Sequence, residues 1–172
     1  MQTNRKIARI LGERGGFTLV EVLVAAMILI VALLTLASMF PVGYKQIADA
    51  GRMTMAVSGA RHILEDVGDI PFNNVSNVNG VDTASNTGVI AGLGGTESAI
   101  ARRWRYMLAG SGNGFTFTAA ETTAWGTVQP FAGRAVVTVA NTSATLRTVT
   151  VTVTVPGLPG NVTLSTVVVR MF

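Results

Sequence analysis

The chain has 172 residues, no cysteine, one histidine and an apolar content of 49%. It is long enough for one modest domain plus an anchor; the missing cysteines exclude disulfide staples and thiolate metal sites, and the lone histidine leaves few nucleophile–base arrangements. The formal charge of +4 is unevenly spread: Arg5, Lys6, Arg9 and Arg14 against Glu13 put +3 ahead of Phe17, so about +1 remains for everything after it. Charge placed this way describes a membrane-insertion leader better than a nucleic-acid surface.

Residues 1–16 read as a basic leader. Gly15 and Gly16 then open an apolar run, Phe17 to Phe40, of about 24 residues, enough to span ~30 Å of hydrocarbon as a helix. Positive charge before such a run keeps the N-terminus in the cytoplasm and sends the rest across. A secretory signal has a shorter apolar core with small residues after it. Here the small pair lies before the run, so a cut at that point would remove the charges and keep the anchor. Glu21 is the only ionisable group in the run. A lone carboxylate in hydrocarbon is costly by a few kcal/mol, so it needs a partner. The plainer reading is an acid at a helix N-terminus, favoured there by the helix dipole.

Residues 41–70 continue the helix in amphipathic form. Ile47, Ala50, Met53, Val57, Ala60, Leu64 and Val67 recur at three- and four-residue steps, with Lys45, Asp49, Arg52, Arg61, Glu65 and Asp69 largely off the stripe. A helix from Phe17 to Ile70 would be roughly 80 Å long. Pro41, with Gly43 nearby, predicts a kink or local unwinding, and Pro71 a helix stop.

Residues 71–101 are rich in Asn and Gly and read as a connecting loop. Residues 102–172 read as strands. Arg103 to Leu108 alternates, and with Phe115 to Thr118 it predicts a hairpin around the loop from Gly110 to Gly114. Ala135 to Ala140 predicts a further strand. Thr148 to Val155 alternates strictly, with Val149, Val151, Val153 and Val155 facing a core. Pro156 to Gly160 turns the chain, and Val162 to Met171 returns. Its alternation slips near Val167, which predicts a bulge or burial on both faces. Short connections favour an antiparallel meander, and the second half of the helix is the element available to cover it. The fold class is α+β.

Several constellations invite a chemical reading. His62 with Glu65, Asp66 and Asp69 puts acids at i+3, i+4 and i+7, but a solvated face with Arg61 and Glu65 paired is the stronger reading. The loop with Asn73, Asn77, Asn79 and Asp82 lacks calcium-loop spacing and reads as turn former. The run from Gly92 to Thr96 has no lysine and does not clearly open a helix, so a flexible loop is the default. Arg102, Arg103 and Arg105 with Trp104 and Tyr106 could form a DNA patch. As a strand, however, that segment would send Arg103 and Arg105 to the face opposite Trp104 and Tyr106. Three Asn-X-Ser/Thr triplets, at Asn74, Asn141 and Asn161, are weak glycosylation signals. Nothing supports catalysis, a metal or a cofactor.

At Gly16-Phe17-Thr18-Leu19-Val20-Glu21 the chain resembles the class III signal sequence of type IV pilins and type II secretion pseudopilins. The likeness lies in the basic leader, the Gly before the cut, the Phe after it, and the Glu five residues into the mature chain. Arg61 to Glu65, followed by Ile70-Pro71-Phe72, resembles the helix end of V-type minor pilins and I-type pseudopilins, and the C-terminal pair of strands is similar too. Ser38 stands where many major pilins have a proline, and no disulfide can close the C-terminal region. Both departures favour a minor subunit.

The resemblance implies a pilin-like fold, with a long helix packed on a C-terminal sheet. It implies leader cleavage between Gly16 and Phe17 by a prepilin peptidase, N-methylation of Phe17, and pairing of Glu21 with the N-terminal amine of a neighbouring subunit. The implied partners are other pilin or pseudopilin subunits, that peptidase, an inner-membrane assembly platform and the lipid bilayer. The implied place is a single-pass inner-membrane protein that passes into a periplasmic or cell-surface filament. The expected function is that of a structural subunit of a type IV pilus or type II secretion pseudopilus, initiating or capping it. The rival is a membrane-anchored component of an uptake machine that binds DNA or another ligand.

Overall fold

The computed structural model describes residues 16–85, 89–112 and 114–170. The charged leader therefore lies outside the described residues, as do Asn86, Gly88 and Asn113 of the turn-rich stretches. The chain divides into two compact units, 1–46 and 47–172. It is α+β, with a long N-terminal helix and a three-stranded antiparallel sheet.

The helix α1 runs Leu19–Gly68, with Pro41 inside it. In the first unit it is exposed apart from half-buried Gly43, and it is long and apolar enough to cross a membrane. Helical structure passes through Pro41 without a break, so the expected unwinding does not occur. The helix ends two residues before Ile70, with Pro71 just beyond, as a proline stop requires.

In the second unit the buried stripe of α1 is Ala56, Ala60, Ile63 and Val67, flanked by half-buried Val57 and Leu64. These residues follow helical spacing, but the stripe starts later than the sequence suggests: Ile47 and Met53 are exposed. A Cβ on Gly59 would come within 2.8 Å of Leu108 Cδ2, so a side chain there would make Leu108 shift.

A short 3-10 helix, Val75–Val78, and α2, Val89–Gly92, follow. Then come α3, Gly95–Leu108, and α4, Ala119–Trp125. These two helices correct the expected hairpin: 103–108 is helical, and near 115–118 the extended pairing is a single bridge between Gly112 and Phe115. Expected strands over 102–133 are thus replaced by helix and loop, and the sheet begins only at Arg134. Trp104 and Leu108 satisfy both periods, two and four, which makes the short window ambiguous. The longer window resolves it. Glu97, Ala101, Trp104, Arg105 and Leu108 are the buried positions, one helical face. The glycine run before it also does more than loop, since Gly95 opens α3.

The sheet is β1 (Arg134–Asn141), β2 (Leu146–Thr154) and β3 (Val162–Val169), in the order β1-β2-β3, all antiparallel. This is the expected meander. Val149, Val151 and Val153 are fully buried, and Val155 follows them into the core. β3 pairs with β2 without interruption from Val162 to Val169, so no bulge occurs at Val167. Val167 and Val169 are instead exposed, and Val162 and Val168 turn inward. The β2–β3 turn packs on α1 through Gly157, where φ is 80° and a Cβ would meet the Arg52 guanidinium at 2.7 Å; Arg52 Nη1 donates to its carbonyl at 3.4 Å.

Candidate functional site: the start of the apolar helix

Gly16 and Phe17 precede α1 in non-helical conformation, and Phe17 is 86% exposed. Thr18 is the residue before the helix proper. Its backbone N–H donates to Glu21 Oε2 at 2.8 Å, and its hydroxyl donates to the same oxygen at 3.0 Å. The Glu21 N–H lies 3.2 Å from the Thr18 hydroxyl oxygen. This reciprocal arrangement is a capping box, which satisfies amides that a helix N-terminus otherwise leaves bare. The plainer sequence reading, an acid at the helix start, thus has a concrete geometry. The Thr-X-X-Glu spacing of 18–21 carries that signal.

Both Thr18 contacts fall on Oε2. Among the described residues, Glu21 has no cation within ion-pair reach, and Oε1 has no hydrogen-bond partner. A cut between Gly16 and Phe17 leaves Thr18 and Glu21 together in the same chain, so the cap survives it. Such a cut also creates an ammonium at Phe17, one residue from the cap.

The same box recurs at α4. Thr118 N–H reaches Glu121 Oε2 at 2.8 Å, its hydroxyl the same oxygen at 3.1 Å, and Glu121 N–H returns at 3.2 Å. Here the carboxylate also has a cation. Arg102 Nε lies 2.6 Å from Oε1, and Nη2 lies 2.9 Å from Oε2. Hydrogen bonds from Arg102 above all, helped by Thr118, hold the Glu121 carboxyl down at about 2.

The other constellations are built into the second unit. Asp66 accepts from buried Trp104 Nε1 at 2.8 Å, and Arg103 Nη1 lies 3.8 Å away. His62 Nε2 faces Arg103 Nη2 at 3.0 Å. Glu65 lies nearest His62 Nδ1, at 3.9 Å, rather than beside Arg61. Among the described residues no group of three ligating side chains is assembled. Arg105 is buried and donates to the carbonyls of Gly110 at 2.9 Å, Gly112 at 2.9 Å and Thr83, with Phe115 under its guanidinium. Burial pushes this guanidinium below its usual range, against the field of Asp82. The three arginines of this segment therefore all have partners within the chain.

Asn79 and Asp82, from the Asn-rich loop, cover the β1 edge. Asn79 Oδ1 accepts from Val139 N–H at 2.8 Å, and Asp82 takes Arg134 at 3.0 and 2.6 Å. Burial opposes ionisation of Asp82, but Arg134 and the Ala84 amide outweigh it and hold its carboxyl below the usual range. Two shallow grooves flank α1, of about 420 and 440 Å³, the larger lined by Met55, Gly59, Met107 and Phe131. Compared with family models, curated proteins and solved structures, the chain matches none.

Proposed function

We propose that this chain is a structural subunit of a type IV pilus or type II secretion pseudopilus, a minor one that initiates or caps the filament. In this reading a prepilin peptidase cuts between Gly16 and Phe17 and the new terminus is N-methylated. The segment 17–40 first lies across the inner membrane, with its N-terminus in the cytoplasm. It then moves into a bundle of like helices, delivered by an inner-membrane assembly platform, in a periplasmic or cell-surface filament. One observation carries the reading: Glu21 stands at the head of the exposed apolar segment of α1, and among the described residues no cation reaches its carboxylate. An ammonium at Phe17 of a neighbouring subunit supplies the missing charge in the same apolar layer. A paired charge there costs far less than a lone one. Mass measurement of the mature N-terminus tests this. The expected chain begins at methylated Phe17, and a mature chain beginning at Met1 would contradict it.

A ligand-capturing anchor is the second reading, for which DNA is the candidate ligand. Arg102, Arg103 and Arg105 are the residues that suggest it, and their engagement with Glu121, Asp66 and backbone carbonyls weighs against it. Salt-dependent DNA binding by the protein would favour it.

A further inference from the structure

The two edges of the sheet are treated differently. On β1, the outward backbone groups are those of Ala135, Val137, Val139 and Asn141, and the first three residues are engaged. Thr83 N–H meets Ala135 C=O at 3.0 Å, and Ala135 N–H meets the Thr83 hydroxyl at 2.8 Å. Gly80 N–H meets Val137 C=O, and Val137 N–H meets Val81 C=O, each at 2.9 Å. Val139 N–H meets Asn79. The Arg134–Asp82 pair adds charge at that edge.

The register then fixes what β3 presents. Odd-numbered β1 residues face outward, so the even ones bond to β2. Their partners on β2 are even, from Thr148 to Thr154, which leaves odd β2 residues to bond β3. Those pair with Val162, Leu164, Thr166 and Val168. The free edge of β3 is therefore the N–H and C=O groups of Thr163, Ser165, Val167 and Val169. Among the described residues none of these groups has a backbone partner. All four side chains are exposed, Val167 at 55% and Val169 at 54%. The strand has no charge, proline or bulge between Val162 and Val169, the devices that normally guard an edge.

We infer that β3 is a docking edge at which two copies of this chain join their sheets, β3 against β3, antiparallel. A two-fold pair centred on Thr166 sets Thr163 against Val169 and Ser165 against Val167 of the second copy, using all four outward residues on each side. Antiparallel pairing also puts the two Arg170 side chains at opposite ends of the seam, whereas parallel pairing would set them side by side. An edge of this kind is self-complementary, as an isologous interface requires. The inference does not rest on the filament reading.

Single cysteines test it, because the chain has none of its own. At the two-fold, Thr166 faces itself as a non-hydrogen-bonded pair, about 4.5 Å between Cα atoms, within disulfide reach. In the full chain purified in detergent, Thr166→Cys is expected to form a disulfide dimer on mild oxidation. Ser165→Cys, displaced from its own copy by two residues to beyond about 7 Å, is expected to cross-link at least tenfold less. Adding Val167→Pro to Thr166→Cys removes one outward N–H and leaves the β2–β3 ladder whole, so the dimer should fall at least tenfold while circular dichroism is unchanged. Val167→Lys serves if the proline variant fails to fold. A Thr166→Cys chain that stays monomeric, Ser165→Cys cross-linking as well as Thr166→Cys, or a cross-link indifferent to Val167 would each overturn the inference.

Discussion

Two capping boxes of matching geometry lie a hundred residues apart in sequence and differ in one respect. At Thr118–Glu121 the carboxylate has a guanidinium from its own chain, Arg102 at 2.6 Å. At Thr18–Glu21 the hydrogen bonds are the same to within about 0.1 Å, and among the described residues no cation is supplied. The difference separates two roles of one motif. A complete box finishes a helix within a folded unit. In the proposed filament reading, the box at the head of the exposed apolar segment holds its carboxylate for a charge supplied by another subunit.

The largest effect should come from removing the charge while keeping the cap. Glu21→Gln retains an oxygen for Thr18 but cannot form an ion pair. Membrane insertion and folding should persist while filament incorporation drops at least tenfold in sheared-filament fractions. If incorporation is unchanged, the free carboxylate oxygen has no assembly role. The corresponding Glu121→Gln should leave incorporation alone and lower the stability of the second unit.

A packing test comes next, away from either box. Gly59→Leu drives a side chain into Leu108, and overpacking of this kind costs about 1–3 kcal/mol in thermal or chemical denaturation. An unchanged melting temperature would show that α1 and α3 are not closely packed.

The charge difference between the boxes also predicts a pH signature. Glu121 has its carboxyl depressed from 4.5 to about 2, so its stabilising contribution is present above 4.5 and is lost as the pH falls through that window to about 2. Arg102→Ala should remove most of that acid sensitivity in a melting curve. Retention of the full slope would assign it to other carboxylates, Asp82 first, since Arg134 and Ala84 lower its carboxyl too.

The smallest contrast concerns the caps themselves. Thr118→Ala should cost about 1 kcal/mol of stability. Thr18→Ala should leave the melting of the second unit unchanged, because α1 there is held by Ala56, Ala60, Ile63 and Val67. Equal losses would mean the two boxes report on a single cooperative structure.

What the sequence made legible follows the range of the interactions. The apolar run, the proline stop and the Thr/Val alternation of β2 are local patterns, and each appears as a local element. Arg103 to Leu108 misleads because six residues carry two periods at once; the buried face through Glu97 and Ala101 separates them. At Glu21 the acid at a helix start is legible from its place in the apolar run, whereas Thr118 lies in a segment whose alternation reads as a strand, which hides the cap it forms with Glu121. The cover over β1 was not legible. Asn79 meets Val139, and Asp82 meets Arg134, across more than fifty residues that no local pattern links.

The pairing of Glu21 is the central claim, and zero-length cross-linking reads it directly. Carbodiimide treatment of isolated filaments, followed by peptide mass spectrometry, should yield an amide joining the Glu21 carboxyl to the Phe17 amine of a neighbouring subunit, of this chain or a relative. Chains in the filament fraction that begin at Met1, with Glu21 unlinked, would contradict the account.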